Sequence, residues 1–233
     1  IQTKEHPSQL NFLVMNEEGY KNLLYLSSIS HTIGNNPIGI YEKDLKNHTN
    51  GLICYIGGEY NPLLILKNNN QVEKISVFIT KFKNMFGQDF LFEIQRVKNK
   101  KIDDFEKEFL EYSENLKISV IGSNNVKYEN RNDYNAHDAL LCIAQKMTIN
   151  QTNRKFSNSE IYFKSSDEMN NIFEDIPEII ENNFRIAIKC NYYPNEILPK
   201  LPKYLSNQNL SESELLNLKS KKGLLQRLQE MKI

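Results

Sequence analysis

Residues 72–95 read VEKISVFITKFKNMFGQDFLFEIQ, and the fold prediction starts from this stretch. Its first half carries apolar residues at helical spacing, and Gly87 is the residue type that commonly ends such a helix. In residues 90–95, Phe90, Phe92 and Ile94 alternate with the residues between them, which predicts a strand. A helix that leads directly into a strand is one unit of an alternating α/β fold.

Similar units lie on both sides of this stretch. Apolar runs predict further strands at residues 9–15, 51–57 and 118–121, and helical patterns separate them. Strand and helix therefore alternate with a repeat of roughly 30 residues, which is typical of βα units. We expect a mainly parallel sheet, either a barrel or an open doubly wound sheet, in which all four strands are parallel neighbours and helices cover the outside.

Composition excludes some classes of protein. Lysine plus arginine and aspartate plus glutamate both total 29, so the formal net charge is zero, which argues against tight binding of duplex DNA by this chain alone. The short basic run at residues 98–101 is interpreted as solvated surface. The sequence has no apolar run long enough for a membrane span. It also lacks an initiator methionine, so we expect a segment from within a longer gene product. The three cysteines are far apart and odd in number, which predicts free thiols in a reducing cytoplasm.

Motifs that would identify a catalytic centre are missing from the sequence. It contains no phosphate-binding loop of the G-x-x-x-x-G-K-S/T type and no G-x-G-x-x-G turn. The four histidines are scattered without metal-ligand spacing. His137 lies on an early turn of a predicted helix and is interpreted as a structural group.

An ordered series of short motifs nevertheless resembles one family. These motifs are NEEGY (16–20), FLFEIQ (90–95), AHDALLCI (136–143), YFKS (162–165) and LPKLP (198–202). Their identity and order resemble the DNA polymerase III alpha subunits, the C-family replicative polymerases of bacteria, in the region of the PHP domain. The resemblance covers nearly the whole chain and is most specific between residues 136 and 202.

The resemblance implies a fold and a domain organisation. PHP domains resemble a distorted βα barrel, and here the barrel would lack its first strands. Residues 1–197 would form this N-terminally truncated PHP domain. Residues 198–233 would form a linker and the first helix of the polymerase core.

The resemblance also implies where a metal site would lie. Active PHP domains hold a cluster of metal ions through His, Asp, Glu and Cys at the strand ends. In this sequence Gln9, Val97 and Lys127 lie where the resemblance implies His ligands, and Asn125 lies where it implies Asp. An amide is a weak ligand, valine has no donor atom, and a protonated lysine offers no lone pair. We therefore expect no catalytic residue, no metal and no cofactor in this fragment.

As a function, the resemblance implies a catalytically degenerate PHP scaffold within a replicative DNA polymerase. This scaffold would support the polymerase core and dock the proofreading exonuclease subunit. The whole polymerase would use Mg²⁺ in its palm, contact DNA and assemble with other polymerase III subunits. Two alternatives remain open: an active, metal-dependent PHP phosphoesterase, and a non-catalytic α/β interaction module unrelated to replication.

Overall fold

A computed structural model describes residues 2–3, 6–32, 39–196, 198–199, 201 and 210–231 of the chain. The chain forms two compact units, Ile1–Tyr193 and Pro194–Ile233. A compact unit is not by itself a domain, so the predicted domain boundary between residues 197 and 198 stays a prediction.

The first unit contains a four-stranded sheet and a short antiparallel pair. The short pair is β1 (Gln2–Thr3) and β2 (His6–Pro7). The sheet has the order β3-β4-β5-β6, with β3 (Asn11–Val14), β4 (Leu52–Gly57), β5 (Phe90–Gln95) and β6 (Val120–Ser123). The helices of this unit are α1 (Glu17–Thr32), α2 (Glu42–Lys46), α3 (Pro62–Asn68), α4 (Glu73–Phe86), α5 (Lys100–Leu116), α6 (Tyr134–Gln145), α7 (Ser166–Ile172) and α8 (Glu178–Lys189). The second unit contains α9 (Glu212–Glu230).

The α/β class is confirmed, whereas the predicted direction of the strand at residues 9–15, which corresponds to β3, is wrong. Strands β4, β5 and β6 are parallel, as expected. Strand β3 pairs antiparallel with β4, and Val14 lies opposite Leu52. The reason is the route of the chain, which follows β3 with α1 and then returns through residues 39–50 to the end where β3 finished. The sheet and its helices are consistent with a PHP-type fold, and closure into a barrel stays a prediction.

A close contact between Gly19 and Gly51 holds the start of α1 against the segment that leads into β4. The side chain of Asn16 accepts a hydrogen bond from the backbone N–H of Gly19 at 3.0 Å, so Asn16 caps the start of α1. The Met15 backbone N–H donates to the carbonyl of Gly51 at 2.9 Å. A Cβ on Gly19 would overlap that same carbonyl, and Gly51 has a φ of 73°. The NEEGY motif, one of those that carry the family resemblance, therefore meets the residue that precedes β4 at this crossing.

The two faces of the sheet differ in what covers them. On one face Cys54, Ile56, Phe92 and other buried residues pack against α1, α3, α4 and α5 in the main hydrophobic core. Phe92 stacks on Phe109 of α5 with ring centroids 4.2 Å apart. The opposite face has a smaller cluster of Ile53, Leu91 and Ile121. Since alternate residues of a strand point to opposite faces, polar residues on this second face can line a site.

The outer edge of β6 is covered by side chains of α8. Asn182 donates from its amide to the carbonyl of Val120 at 2.9 Å. Asn183 accepts from the Gly122 N–H at 3.1 Å and donates to the Gly122 carbonyl at 2.8 Å. These amides satisfy the backbone groups that a neighbouring strand would otherwise bind.

Predicted helix starts have mixed outcomes. The spacing of Ser165 with Glu168 and of Ser211 with Glu214 predicts that each pair caps a helix, and both capping boxes form. The same spacing predicts a capping box of Asp175 with Glu178, and this prediction is wrong. Asp175 instead forms an ion pair with Arg96 at 2.5 Å, and no side chain caps α8.

Among the described residues, no helix combines the length and the apolar character that crossing a membrane requires.

Candidate functional site

A polar pocket of about 530 Å³ lies at the carboxyl ends of β4, β5 and β6. We call it the strand-end pocket. Parallel strands bring their carboxyl ends to the same edge of a sheet, which is where α/β proteins commonly bind ligands. Its polar side chains come from the strand ends and from the segments around them: Gln9, Asn11, Tyr55, Glu59, Tyr60, Glu93, Gln95, Ser123, Asn124, Asn125, Lys127 and Lys155.

Glu93 is the buried carboxylate of this pocket, with 5% of its surface exposed. Its two oxygens accept hydrogen bonds from Ser123 Oγ at 2.5 Å and from Gln95 Nε2 at 3.0 Å. Burial raises the pKa of Glu93, and the two hydrogen bonds offset part of that rise. Gly57 makes room for the carboxylate, because a Cβ at that position would lie 2.6 Å from Glu93 Oε2.

Three of the four predicted ligand positions come together in the strand-end pocket. Gln9 donates from Nε2 to Asn11 Oδ1 at 3.0 Å. Asn125 lies in the left-handed region with a φ of 45°, a conformation that asparagine tolerates better than most residues. Lys127 lines the same pocket, and its backbone N–H donates to the carbonyl of Ile161 at 2.8 Å.

The fourth position, Val97, lies beside this pocket and does not line it. It is buried, with 3% of its surface exposed, and its carbonyl accepts a hydrogen bond from Asn158 at 2.7 Å. Val97 lines an adjoining pocket of about 680 Å³, which we call the side pocket. Asn125, Lys127 and Lys155 line both pockets, so the two cavities are neighbours.

The donor groups of the strand-end pocket fit a metal cluster poorly. Glu93 already accepts two hydrogen bonds, Gln9 is bound to Asn11, and Lys127 brings a positive charge. Within the part of the chain that the structure describes, no group of three or more His, Cys, Asp or Glu residues is placed to hold a metal ion. Two-metal hydrolysis requires several such ligands around ions about 3.5–4 Å apart. The absence of a bound metal itself stays a prediction.

Sequence reasoning missed Glu93, Ser123 and Lys155 as members of the site. Glu93 and Gln95 interrupt an otherwise apolar strand that is buried along its whole length. A carboxylate in such a strand is costly to bury unless it is hydrogen-bonded, and that signal could have identified it. Lys155 lies in the segment after α6, more than 20 residues along the chain from Lys127, and no sequence pattern connects the two.

His137 is held by its neighbours, in line with its structural interpretation. Its Nδ1 lies 2.7 Å from Ser157 Oγ, and its ring lies 5.3 Å from the ring of Tyr128. It also lines the side pocket.

Comparison with known proteins adds a family match. The PHP domain model matches residues 1–97. The chain is similar to DNA polymerase III subunit alpha of Rickettsia bellii, with 33% identity over 226 residues that cover 95% of this chain and 19% of the relative. It is also similar to DNA polymerase III subunit alpha of Borreliella burgdorferi, with 40% identity over 200 residues that cover 82% of this chain and 17% of the relative. The chain thus spans about a fifth of the length of the curated relatives it matches.

Proposed function

This chain is homologous along nearly its whole length to part of the DNA polymerase III alpha subunits, and we propose that it works as a catalytically degenerate PHP scaffold within such a subunit. The whole protein would be a replicative DNA-directed DNA polymerase whose nucleotidyl transfer takes place in a palm outside this chain. Mg²⁺ would serve that palm. The fragment alone would not polymerise DNA.

The observation that carries the scaffold role is the chemistry of the strand-end pocket. Gln9, Asn125 and Lys127 occupy the positions where the family resemblance implies metal ligands, and they line one cavity. Two neutral amides and an ammonium group cannot replace His and Asp as ligands for divalent transition metals. The remaining carboxylate, Glu93, is buried and bound to Ser123 and Gln95.

A metal-restoration experiment tests this interpretation. We expect purified wild-type chain to retain no stoichiometric zinc or manganese and to show no turnover of a chromogenic phosphodiester. The triple variant Gln9→His, Asn125→Asp and Lys127→His should gain metal, because three ligands would then face Glu93 in one cavity. Elemental analysis after gel filtration measures the metal content.

A matched control places the same residue types outside the pocket. The variant Lys74→His, Asn84→Asp and Gln88→His changes exposed residues near α4 and should leave the metal content at the wild-type level. Two or more tightly held ions per wild-type chain, with hydrolysis lost on chelation, would overturn the scaffold role and favour the active phosphoesterase. Equal metal uptake by the two triple variants would show that the pocket is not the degenerate site.

The scaffold role includes a partner. The chain would support the polymerase core and dock the proofreading exonuclease subunit, next to the other polymerase III subunits and DNA. Co-elution of the whole alpha subunit with its exonuclease should be lost when the segment that corresponds to this chain is exchanged for that of a distant relative. Retained co-elution after that exchange would place the docking surface elsewhere.

A further inference from the structure

The side pocket combines an apolar wall with a cationic rim. Val97, Leu141, Phe156 and Ile161 contribute apolar surface, while Lys100, Lys127 and Lys155 contribute positive charge. Its volume of about 680 Å³ lies within the range that usually holds a small organic ligand. Valine at position 97, where the family resemblance implies a histidine, makes this wall apolar.

The rim has an excess of positive charge that the described part of the chain does not neutralise. Lys100, Lys127 and Lys155 have no ion-pair partner among the described residues. A fourth lysine, Lys98, is bound to Glu160 at 2.7 Å.

Besides Glu160, two carboxylates lie on or near this rim. Glu59 lines the pocket and lies 3.6 Å from Lys101. Glu93 belongs to the neighbouring strand-end pocket, where it is buried and hydrogen-bonded. The unpaired lysines therefore favour an anionic group at the rim. The basic run at residues 98–101, interpreted from the sequence as solvated surface, thus contributes to a pocket.

The segment that carries Lys155 and Phe156 is fixed to α6. The side chain of Gln145 accepts from the Lys155 N–H at 2.8 Å and donates to the Lys155 carbonyl at 3.1 Å. Arg154 forms a two-pronged ion pair with Asp138 at 2.7 and 2.8 Å. A lysine on such an anchored backbone loses less conformational entropy on binding than one on a free loop.

An aromatic surface and a helix terminus complete the pocket. The ring of Phe156 has the Arg154 guanidinium 4.0 Å from its centroid, yet half of the residue stays exposed. The first turn of α5 contributes Lys100 and Ile102, so the positive end of a 17-residue helix adds to the charge of the rim.

We propose that the side pocket binds a nucleoside monophosphate unit without a metal ion. The flat base would lie against Phe156 and the apolar wall, and the phosphate would lie among Lys100, Lys127 and Lys155. A lone phosphate would leave the apolar wall uncovered, and an uncharged nucleoside would leave the lysines unpaired. This inference shares Val97 and Lys127 with the scaffold role but does not rest on it, because it is argued from the side pocket as a whole.

Isothermal titration of the 233-residue chain with deoxyadenosine monophosphate in low salt and EDTA tests the proposal. We expect saturable binding at least roughly tenfold tighter than that of inorganic phosphate or of deoxyadenosine, since each supplies only one part of the recognition. Lys155→Met should weaken nucleotide binding roughly tenfold by removing one charged contact. Phe156→Leu should weaken the nucleotide and leave phosphate unchanged.

Lys74→Met on α4 is the matched control and should bind like wild type. Circular dichroism checks folding, and Lys127→Met replaces Lys155→Met if the latter unfolds. Equal affinity for phosphate and nucleotide, an equal effect of Lys155→Met and Lys74→Met, or no saturable binding at millimolar nucleotide would overturn the proposal. A 5′-phosphorylated single-stranded trinucleotide distinguishes the source of the ligand: tighter binding than the mononucleotide indicates the end of a strand, and weaker binding indicates a free nucleotide.

Discussion

Replacement of Arg96 by methionine should destabilise the first unit more than any exposed substitution. Arg96 follows directly after β5 and connects three separate segments. Its guanidinium donates to Glu106 of α5 at 2.6 Å, to Asp175 at 2.5 Å and to the carbonyl of Ile172 at 2.7 Å. It also lies 5.3 Å from the ring centroid of the fully buried Phe173.

The size of the loss follows from the exposure of each partner. Removing one member of a fully buried ion pair costs about 3–5 kcal/mol. Here the Arg96 side chain is 24% exposed and that of Asp175 is 55% exposed, so the contact with Asp175 is largely screened by solvent. The Glu106 side chain is only 18% exposed, so the loss of its ion-pair partner is less screened by solvent and costs more. We therefore expect Arg96→Met to cost about 2–3 kcal/mol, while methionine keeps the packing of the stem on Phe173.

Urea unfolding followed by far-UV circular dichroism measures this loss. For a chain of this size it corresponds to a fall in Tm of roughly 5–10 °C. Arg96→Lys should recover part of the stability, because lysine keeps the charge but not the forked geometry. Glu106→Gln should cost more than Asp175→Asn. A loss below about 0.5 kcal/mol for Arg96→Met, or the reverse order of the two acid variants, would refute the reasoning from exposure.

Three further predictions concern the sheet and its glycines. Burial raises the pKa of Glu93, so the stability that the protonated Glu93 side chain contributes is lost as pH rises from 4.5 through the folded pKa. Urea titrations should therefore show that Glu93→Gln becomes more stable relative to wild type across that pH window. A stability difference independent of pH would contradict this. Gly19→Ala should cost roughly 1–3 kcal/mol, because its Cβ would overlap the carbonyl of Gly51. Gly223→Ala in α9, where a Cβ would meet nothing outside its own helix, should gain about 0.5–1 kcal/mol. Thermal unfolding measures both, and equal effects of the two variants would argue against the close crossing. Asn183→Ala should cost roughly 1–3 kcal/mol, because it leaves the N–H and the carbonyl of Gly122 without their side-chain partner. If the variant leaves the hydrogen-exchange protection of the Gly122 amide unchanged, the hydrogen bond from Gly122 to Asn183 is not the one that protects it.

Sequence patterns predicted the parts of the fold that depend on local chemistry. The spacing of Val72, Ile75, Ile79, Phe82 and Phe86 predicts α4, and the last four are buried in it. Val72 instead precedes the helix and is half exposed. The direction of β3 could not be predicted in this way, because it depends on how residues 39–50 return to Gly51. The pattern of a strand is the same whichever way it runs.

The candidate site was predicted only where a family resemblance supplied positions. Gln9, Asn125 and Lys127 line the strand-end pocket, whereas Val97 lines the adjoining side pocket. Periodicity cannot reveal such neighbours, since they come from separate segments that only the sheet brings together. Asp175 shows the opposite failure. Its spacing from Glu178 is typical of a capping box, yet Arg96, 79 residues away in sequence, binds it instead.

The cover that α8 places on β6 has a consequence during synthesis on the ribosome. Gly122 and Asn183 are separated by 61 residues, and at about 5–20 residues per second roughly 3–12 s pass between their emergence. Throughout that interval the nascent sheet has an unpaired edge strand exposed to other nascent chains. The helix that covers this edge is therefore the last helix of the first unit to emerge. A ribosome stalled between these positions would hold the chain with this edge strand open to aggregation.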